Sequence, residues 1–268
     1  MSTNNIGPLI VGHRGASARA PENTLAAFSL AIEEGAEGLE FDVRLARDGV
    51  PVVFHDESLL RTGRTKALVS ELTSAELARV DTGSWFEQAG SNTEFKDERV
   101  TTLADTLQFL AGFDGIIFVE LKSGGHDLEP LTEAVAAVLR DSPLLPQIIV
   151  KSFRLAAIPR LRMLVPGVRT AALFAPKIMT ILRKEKHMVA IAAEFGANEL
   201  SIHYSLATVK LMESAGKHGF PVSIWTADNP RWVKRGMTLG LKSIITNDPA
   251  KLLARRAELN GISVSDAQ

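Results

Sequence analysis

The sequence predicts an α/β chain closing a (β/α)8 TIM barrel, with a small insertion over the C-terminal mouth. Three observations predict it. Short apolar runs alternate with longer amphipathic ones, the pattern of a parallel sheet built from strand–helix units. The length of 268 residues matches a barrel of eight such units. One further apolar run lies too close to its predecessor to be a parallel neighbour, since a parallel crossover needs a dozen or more residues.

The first strand is LIVGH (9–13). In the NTLAAFSLAIEEG that follows, Asn23 is the expected N-cap, Leu25, Phe28 and Ile32 share a face, and Gly35 supplies the stop. GLEFDV (38–43) and PVVFH (51–55) are separated by RLARDGV, whose Asp48-Gly49 is a hairpin turn signal. Residues 38–55 therefore read as a β-hairpin. A two-residue loop at Asp48-Gly49 pairs Arg47 with Val50 and sets Asp42 opposite His55. Residues 57–100 have weak periodicity, many turn formers and the polar run GSNTEFKDE; they are too long for an ordinary connection and read as the insertion. Within it, Thr73 and Glu76 have capping-box spacing. The remaining strands are GIIFVELK (115–122), QIIVKSF (147–153), VRTAALF (168–174), NELSIH (198–203), FPVSIWTA (220–227) and KSIITN (242–247). PKIMTILRKEKHMVAIAAEFG and SLATVKLMESAGKHG carry helical patterns between them, and 260–268 is a polar tail. The chain 1–268 reads as a single domain.

Composition excludes several function classes. Net charge is −1, from 30 basic and 31 acidic residues, so no basic excess points to nucleic acid or an anionic membrane as partner. The absence of cysteine excludes disulfides, thiol catalysis and thiolate metal sites. The N-terminus has no basic signal-peptide region, and no stretch reaches transmembrane length. The expectation is a soluble, cytoplasmic protein that binds a small molecule. A homo-oligomer is an open option, with LRKEKHMVAIAAEF as the helix that could carry its interface.

Polar residues collect where strands end. The first strand ends in His13-Arg14, the second carries Glu40 and Asp42, the hairpin returns to His55-Asp56, and the next barrel strand ends in Glu120 and Lys122. Residues two apart on a strand share a face, so Glu40 and Asp42 point the same way. Burying both uncompensated is costly, because desolvation and like-charge repulsion add. A divalent cation would offset that charge, and three carboxylates without cysteine fit Mg²⁺ or Ca²⁺ better than zinc. Arg14 offers a planar fork for phosphate oxygens and Lys122 a point charge. His13 and His55 suit general acid and base work. The pattern reads as metal-assisted phosphoryl chemistry. The competing reading pairs Glu40 and Asp42 with Arg14 and Arg44 in an ion network without metal. Of the other histidines, His126 is a further substrate candidate at the rim, while His187, His203 and His218 read as structural or solvated. Asp56 reads as an insertion anchor, Trp85 and Phe86 as packing of the insertion, and Lys151 as either a phosphate contact or a rim charge.

Taken together, HRGA…PENT, the Glu-Phe-Asp triplet, the DGVPVVFHD hairpin, VELK and WTADN, in order from Gly12 to about Pro249, resemble the glycerophosphodiester phosphodiesterase family. The segment from His55 to Phe86 also resembles the insertion that family carries. The resemblance implies that Glu40, Asp42 and Glu120 ligate the metal, that His13 and His55 are the acid–base pair, and that Arg14 and Lys122 contact phosphate. It places Glu22 in support of that set and Trp225 as an apolar wall against the glycerol or the leaving alcohol. The implied reaction yields sn-glycerol 3-phosphate and an alcohol, one route running through attack by the glycerol 2-hydroxyl, with His55 favoured as base and His13 as leaving-group acid. Departures from the family pattern are Lys151 before Ser152-Phe153, Asn247 where aspartate is frequent, and the stretch VTTL (Val100 to Leu103), which lacks the proline usual before Thr-Leu. A lipid-directed phospholipase D-like enzyme of the same fold and a non-catalytic phosphometabolite-binding barrel are the alternative functions.

Overall fold

Eight parallel strands close on themselves in the computed structural model, which describes residues 7–86, 95–178 and 185–261. In chain order the strands are β1 (Leu9–His13), β2 (Gly38–Leu45), β3 (Pro51–Val53), β4 (Ile116–Leu121), β5 (Ile148–Ser152), β6 (Arg169–Phe174), β7 (Glu199–His203), β8 (Val222–Trp225) and β9 (Ser243–Thr246). Parallel pairing runs β1-β2-β4-β5-β6-β7-β8-β9, and β9 returns to β1. The ninth strand, β3, pairs antiparallel with the far end of β2 and stands outside the ring. The chain is thus a (β/α)8 barrel with the hairpin on it.

Val11, Phe118, Ile149, Ala171 and Ile245 fill the barrel interior. Two larger buried clusters lie between the strands and the surrounding helices, one around Phe28, Phe41 and Leu131, the other around Ile202, Ile224 and Leu252. A fourth cluster joins Leu59, Leu77 and Val100 of the 57–100 segment to Ala46, Val52 and Phe54 of the hairpin. That segment contains a 3-10 turn at Val69–Glu71 and a short helix at Ser74–Leu77, whose Thr73–Glu76 capping box is formed. Trp85 and Phe86 meet edge-to-face within it.

Two local expectations are corrected. The hairpin register is shifted by one: Val43 pairs with Val53, and the Phe54 amide donates to the Asp42 carbonyl at 3.0 Å. The loop holds three residues, Arg47 to Gly49, with Ala46 bonded to Val50 and Gly49 in the left-handed region at φ +78°. That is the three-residue hairpin closed by a glycine after a turn. The N-cap of helix α1 (Leu25–Glu33) is Thr24, whose hydroxyl accepts from the Ala27 amide, and not Asn23. Asn23 is diverted to the site below.

Among the described residues no helix is long and apolar enough to cross a membrane. The last seven residues of the predicted tail, part of the GSNTEFKDE run and part of the proposed interface helix lie outside the described residues.

Candidate active site

Strand geometry brings three carboxylates to one place. Asp42 on β2 is level with Glu120 on β4, and Glu40 lies two residues back on the same face of β2. All three are buried, and one oxygen from each falls within 4.8 Å of the others. Three cations face them. The Arg14 Nε lies 3.0 Å from Asp42 Oδ2, the Lys122 Nζ 3.2 Å from Asp42 Oδ1 and in contact with Glu120, and the Lys151 Nζ 2.8 Å from Glu40 Oε1 and 3.6 Å from Glu120 Oε2. The ion network predicted from sequence is therefore partly present, but Arg44 has no share in it: its Nε donates to the His55 carbonyl.

The loop after β1 is shaped around this cluster. Arg14 and Asn23 are both left-handed, at φ +56° and +59°, a cost that non-glycine residues bear mainly at functional sites. The Arg14 amide donates to the Glu40 carbonyl at 2.6 Å, and the Asn23 amide donates to the Arg14 carbonyl. The Asn23 side chain then donates to Asp42 Oδ2 at 2.9 Å and accepts from the Asp42 amide. Between them Gly15 is required, since a Cβ there would sit 2.5 Å from the Ala27 backbone of α1.

Each histidine is held from behind through Nδ1. The His13 Nδ1 lies 2.6 Å from Asn247 Oδ1. The Asn247 amide orientation is fixed because its Nδ2 donates to Asp228 Oδ2, leaving Oδ1 to accept. His13 therefore carries its proton on Nδ1 and turns Nε2 toward Glu40, 3.8 Å away. The His55 Nδ1 lies 2.6 Å from Asp56 Oδ1. Asp56 is gripped by Arg61, Arg61 by Glu22 through two bonds of 2.7 and 2.8 Å, and Glu22 by Arg14 at 2.7 Å. A continuous charged chain thus runs from His55 through the inserted segment back to Asp42.

Electrostatics follow from this wiring. Burial raises Asp42, but Lys122 and Arg14 outweigh it and hold the carboxylate well below its usual range. Glu40 is also lowered, burial being overcome by Lys151 and then His13. Asp56 is pushed down to about 2, against its modest burial, by Arg61 and His55. His55 is lowered, chiefly by burial and then by the charges of Lys122 and Arg14, with Asp42 and Asp56 opposing.

A cavity of about 420 Å³ opens beside His13 and Arg14 and is lined further by Ser17, Glu22, Asp228 and Asn247. Trp225, at the end of β8, meets Phe153 and His203 edge-on at 5.6 and 5.5 Å. His126 lines a different hollow, with Arg44 and Glu57. Sequence reading passed over the site contacts of Asn23, Arg61 and Asp228, left Lys151 outside the site, and read Asp56 as a turn or insertion anchor, which its bond to Arg61 fits, without foreseeing its contact with His55. Asn23, Asp56 and Asp228 carried a signal, as members of the PENT, DGVPVVFHD and WTADN motifs.

The donor set suits a divalent cation. Glu40, Asp42 and Glu120 each hold a buried oxygen, Oε1, Oδ1 and Oε1, that accepts no well-directed hydrogen bond and faces only lysine ammonium. Hard, ionised, converging oxygens of this kind are what Mg²⁺ and Ca²⁺ take.

Residues 13–251 match the Glycerophosphoryl diester phosphodiesterase family. A glycerophosphodiester phosphodiesterase of Caldanaerobacter subterraneus is 30% identical over 245 residues, covering 91% of this chain and 96% of that protein. A putative glycerophosphodiester phosphodiesterase of Bacillus subtilis is 32% identical, covering 90% of this chain and 94% of that protein. A solved phosphodiesterase of Oleispira antarctica, in complex with the product sn-glycerol-3-phosphate, superposes with a TM-score of 0.82 at 27% identity, covering 93% of this chain and 96% of that one. The fold is the barrel that solved glycerophosphodiester phosphodiesterases share. The chain belongs to the glycerophosphodiester phosphodiesterase family, and its enzyme class is that of a phosphoric diester hydrolase.

Proposed function

We propose that the chain hydrolyses glycerophosphodiesters to sn-glycerol 3-phosphate and an alcohol, using a divalent cation held by Glu40, Asp42 and Glu120. One observation carries the reading: a buried three-carboxylate cluster flanked by two imidazoles, each tied back through Nδ1 so that Nε2 is left for chemistry. When bound, the cation would polarise a phosphoryl oxygen and offset the charge developing there.

The residues divide the remaining work. Arg14 and Lys122 neutralise and orient the phosphate oxygens. His55, kept neutral by its lowered pKa and oriented by Asp56, takes the proton of the attacking hydroxyl as the new P–O bond forms. His13, doubly protonated beside Glu40, delivers its Nε2 proton to the leaving alkoxide as the old P–O bond breaks. Where the attacking group is the glycerol 2-hydroxyl, water then opens the cyclic phosphate, giving a proton back to His13 while His55 returns its proton to the 2-oxygen. Trp225, with Phe153 against its ring, forms an apolar wall for the glycerol or the leaving alcohol. The protein is proposed to act in the cytoplasm on small soluble diesters rather than on membrane or nucleic acid.

The test uses metal-stripped protein offered glycerophosphocholine and glycerophosphoethanolamine with Mg²⁺, Ca²⁺ or neither. Glycerol 3-phosphate release would be followed by a coupled dehydrogenase, with His13→Ala and Glu120→Ala as controls. Cation-dependent release that both substitutions abolish supports the assignment. No turnover by folded, cation-loaded protein sinks it.

A further inference from the structure

Lys151 is unlike the other cations of the site. Its side chain is 1% exposed, against 16% for Lys122. It stands on β5 directly beside Glu120 of β4, which the strand register fixes. Its ammonium spans Glu40 Oε1 and Glu120 Oε2 and lies 5.9 Å from the centre of the Phe118 ring, part of the barrel's apolar interior. Lys122 sits at the open end of β4 and can swing toward a ligand. Lys151 is enclosed instead, buried between two carboxylates and the Phe118 ring.

Each carboxylate of the cluster therefore has a cation beside it before any ligand arrives, Lys151 at Glu40 and Glu120, Arg14 and Lys122 at Asp42, and Lys122 again at Glu120. An ammonium fixed against two of three candidate ligands repels a dication entering the cluster and attracts an anion bound above it. Both effects are strong where burial limits screening. From this geometry we infer that Lys151 sets the balance of the site, weakening its hold on the divalent cation and strengthening its hold on the phosphate. The inference rests on the cation reading proposed above. A lysine that merely ties β4 to β2 would stabilise the fold without moving the two affinities in opposite directions.

Titration calorimetry of Mg²⁺ into metal-stripped wild type and Lys151→Met, followed by glycerol 3-phosphate into the Mg²⁺-saturated proteins, separates the two. The expected result is at least about tenfold tighter Mg²⁺ binding by Lys151→Met, with glycerol 3-phosphate weakened by about tenfold. Unchanged or weaker Mg²⁺ binding, or both affinities moving the same way, overturns the inference while leaving the cation site intact. A folded wild type that binds no Mg²⁺ fails the cation reading itself, and the inference with it. Should Lys151→Met not fold, Lys151→Gln, which keeps a donor toward Glu40 but removes the charge, takes its place under the same outcomes.

Discussion

At the scale of the residue, the two histidines differ in what stands behind them. His13 leans on a neutral amide, Asn247, and His55 on an ionised carboxylate, Asp56. A carboxylate behind an imidazole stabilises its charged form, so Asp56 works against the lowering that burial imposes on His55. The sign of a test follows. If His55 is the base, activity falls as pH drops through its pKa, which lies below the ordinary value of about 6.5. Asp56→Asn keeps an acceptor for Nδ1 but removes the charge, so the acidic limb of kcat/KM should move to lower pH and the plateau should drop. A limb that stays in place or moves upward would show that Asp56 does not act through His55. His55→Ala should cost on the order of 10²–10⁴ in kcat with little change in melting temperature, as measured by steady-state assay and calorimetry.

At the scale of the element, the hairpin and the inserted segment carry the site's second wall. Gly49 turns the chain at φ +78° with nothing within 4 Å of an added Cβ, so Gly49→Ala should cost only its backbone conformation, about 1–2 kcal/mol in urea unfolding. Turnover at saturating cation should be unchanged, because the turn lies away from His55. Arg61→Met tests the inserted segment. As a partly exposed pair it should change stability by less than about 1 kcal/mol. Yet kcat should fall, since Asp56 and Glu22 both lose the guanidinium that holds them; an unaltered kcat would reduce the Arg61 bridge to surface decoration. These elements also mark how far the sequence could be read. The strand alternation that sets Glu40 and Asp42 on one face is local, and so was legible. The hairpin was legible as a hairpin, but its register turns on whether Arg47 belongs to strand or loop, and no local pattern decides that. Lys151 and Arg61 owe their roles to neighbours distant in sequence, on an adjacent strand and on the β1 loop, and nothing in their own segments announced those neighbours. Asn23 misled by being a good helix cap next to a better-placed one, Thr24.

At the scale of the whole molecule, the charged cluster couples folding to proton and cation concentration. Glu22, Glu40, Asp42 and Asp56 all have pKa values lowered in the folded state, Glu22 because Arg61 and Arg14 overcome its burial. The folded chain thus binds fewer protons than the unfolded one in the range where free carboxylates titrate, roughly pH 4. Their contribution is present above that range and is lost as pH falls from there down through the lowered folded-state values. Asp42→Asn should flatten this dependence, so its melting temperature should fall less between pH 5 and pH 2 than that of the wild type. Removal of divalent cation should behave differently. Arg14, Lys122 and Lys151 already partner the carboxylates, so the barrel does not depend on the ion to offset their repulsion. EDTA should therefore abolish turnover while leaving the far-ultraviolet circular dichroism spectrum unchanged. Restored Mg²⁺ or Ca²⁺ should raise the melting temperature in proportion to the logarithm of its concentration once the site is saturated, as for any ligand that binds only the folded state. Loss of secondary structure in EDTA at pH 7 would mean that the three ammonium and guanidinium groups do not suffice to balance the cluster, and that the ion is a structural part of the barrel mouth.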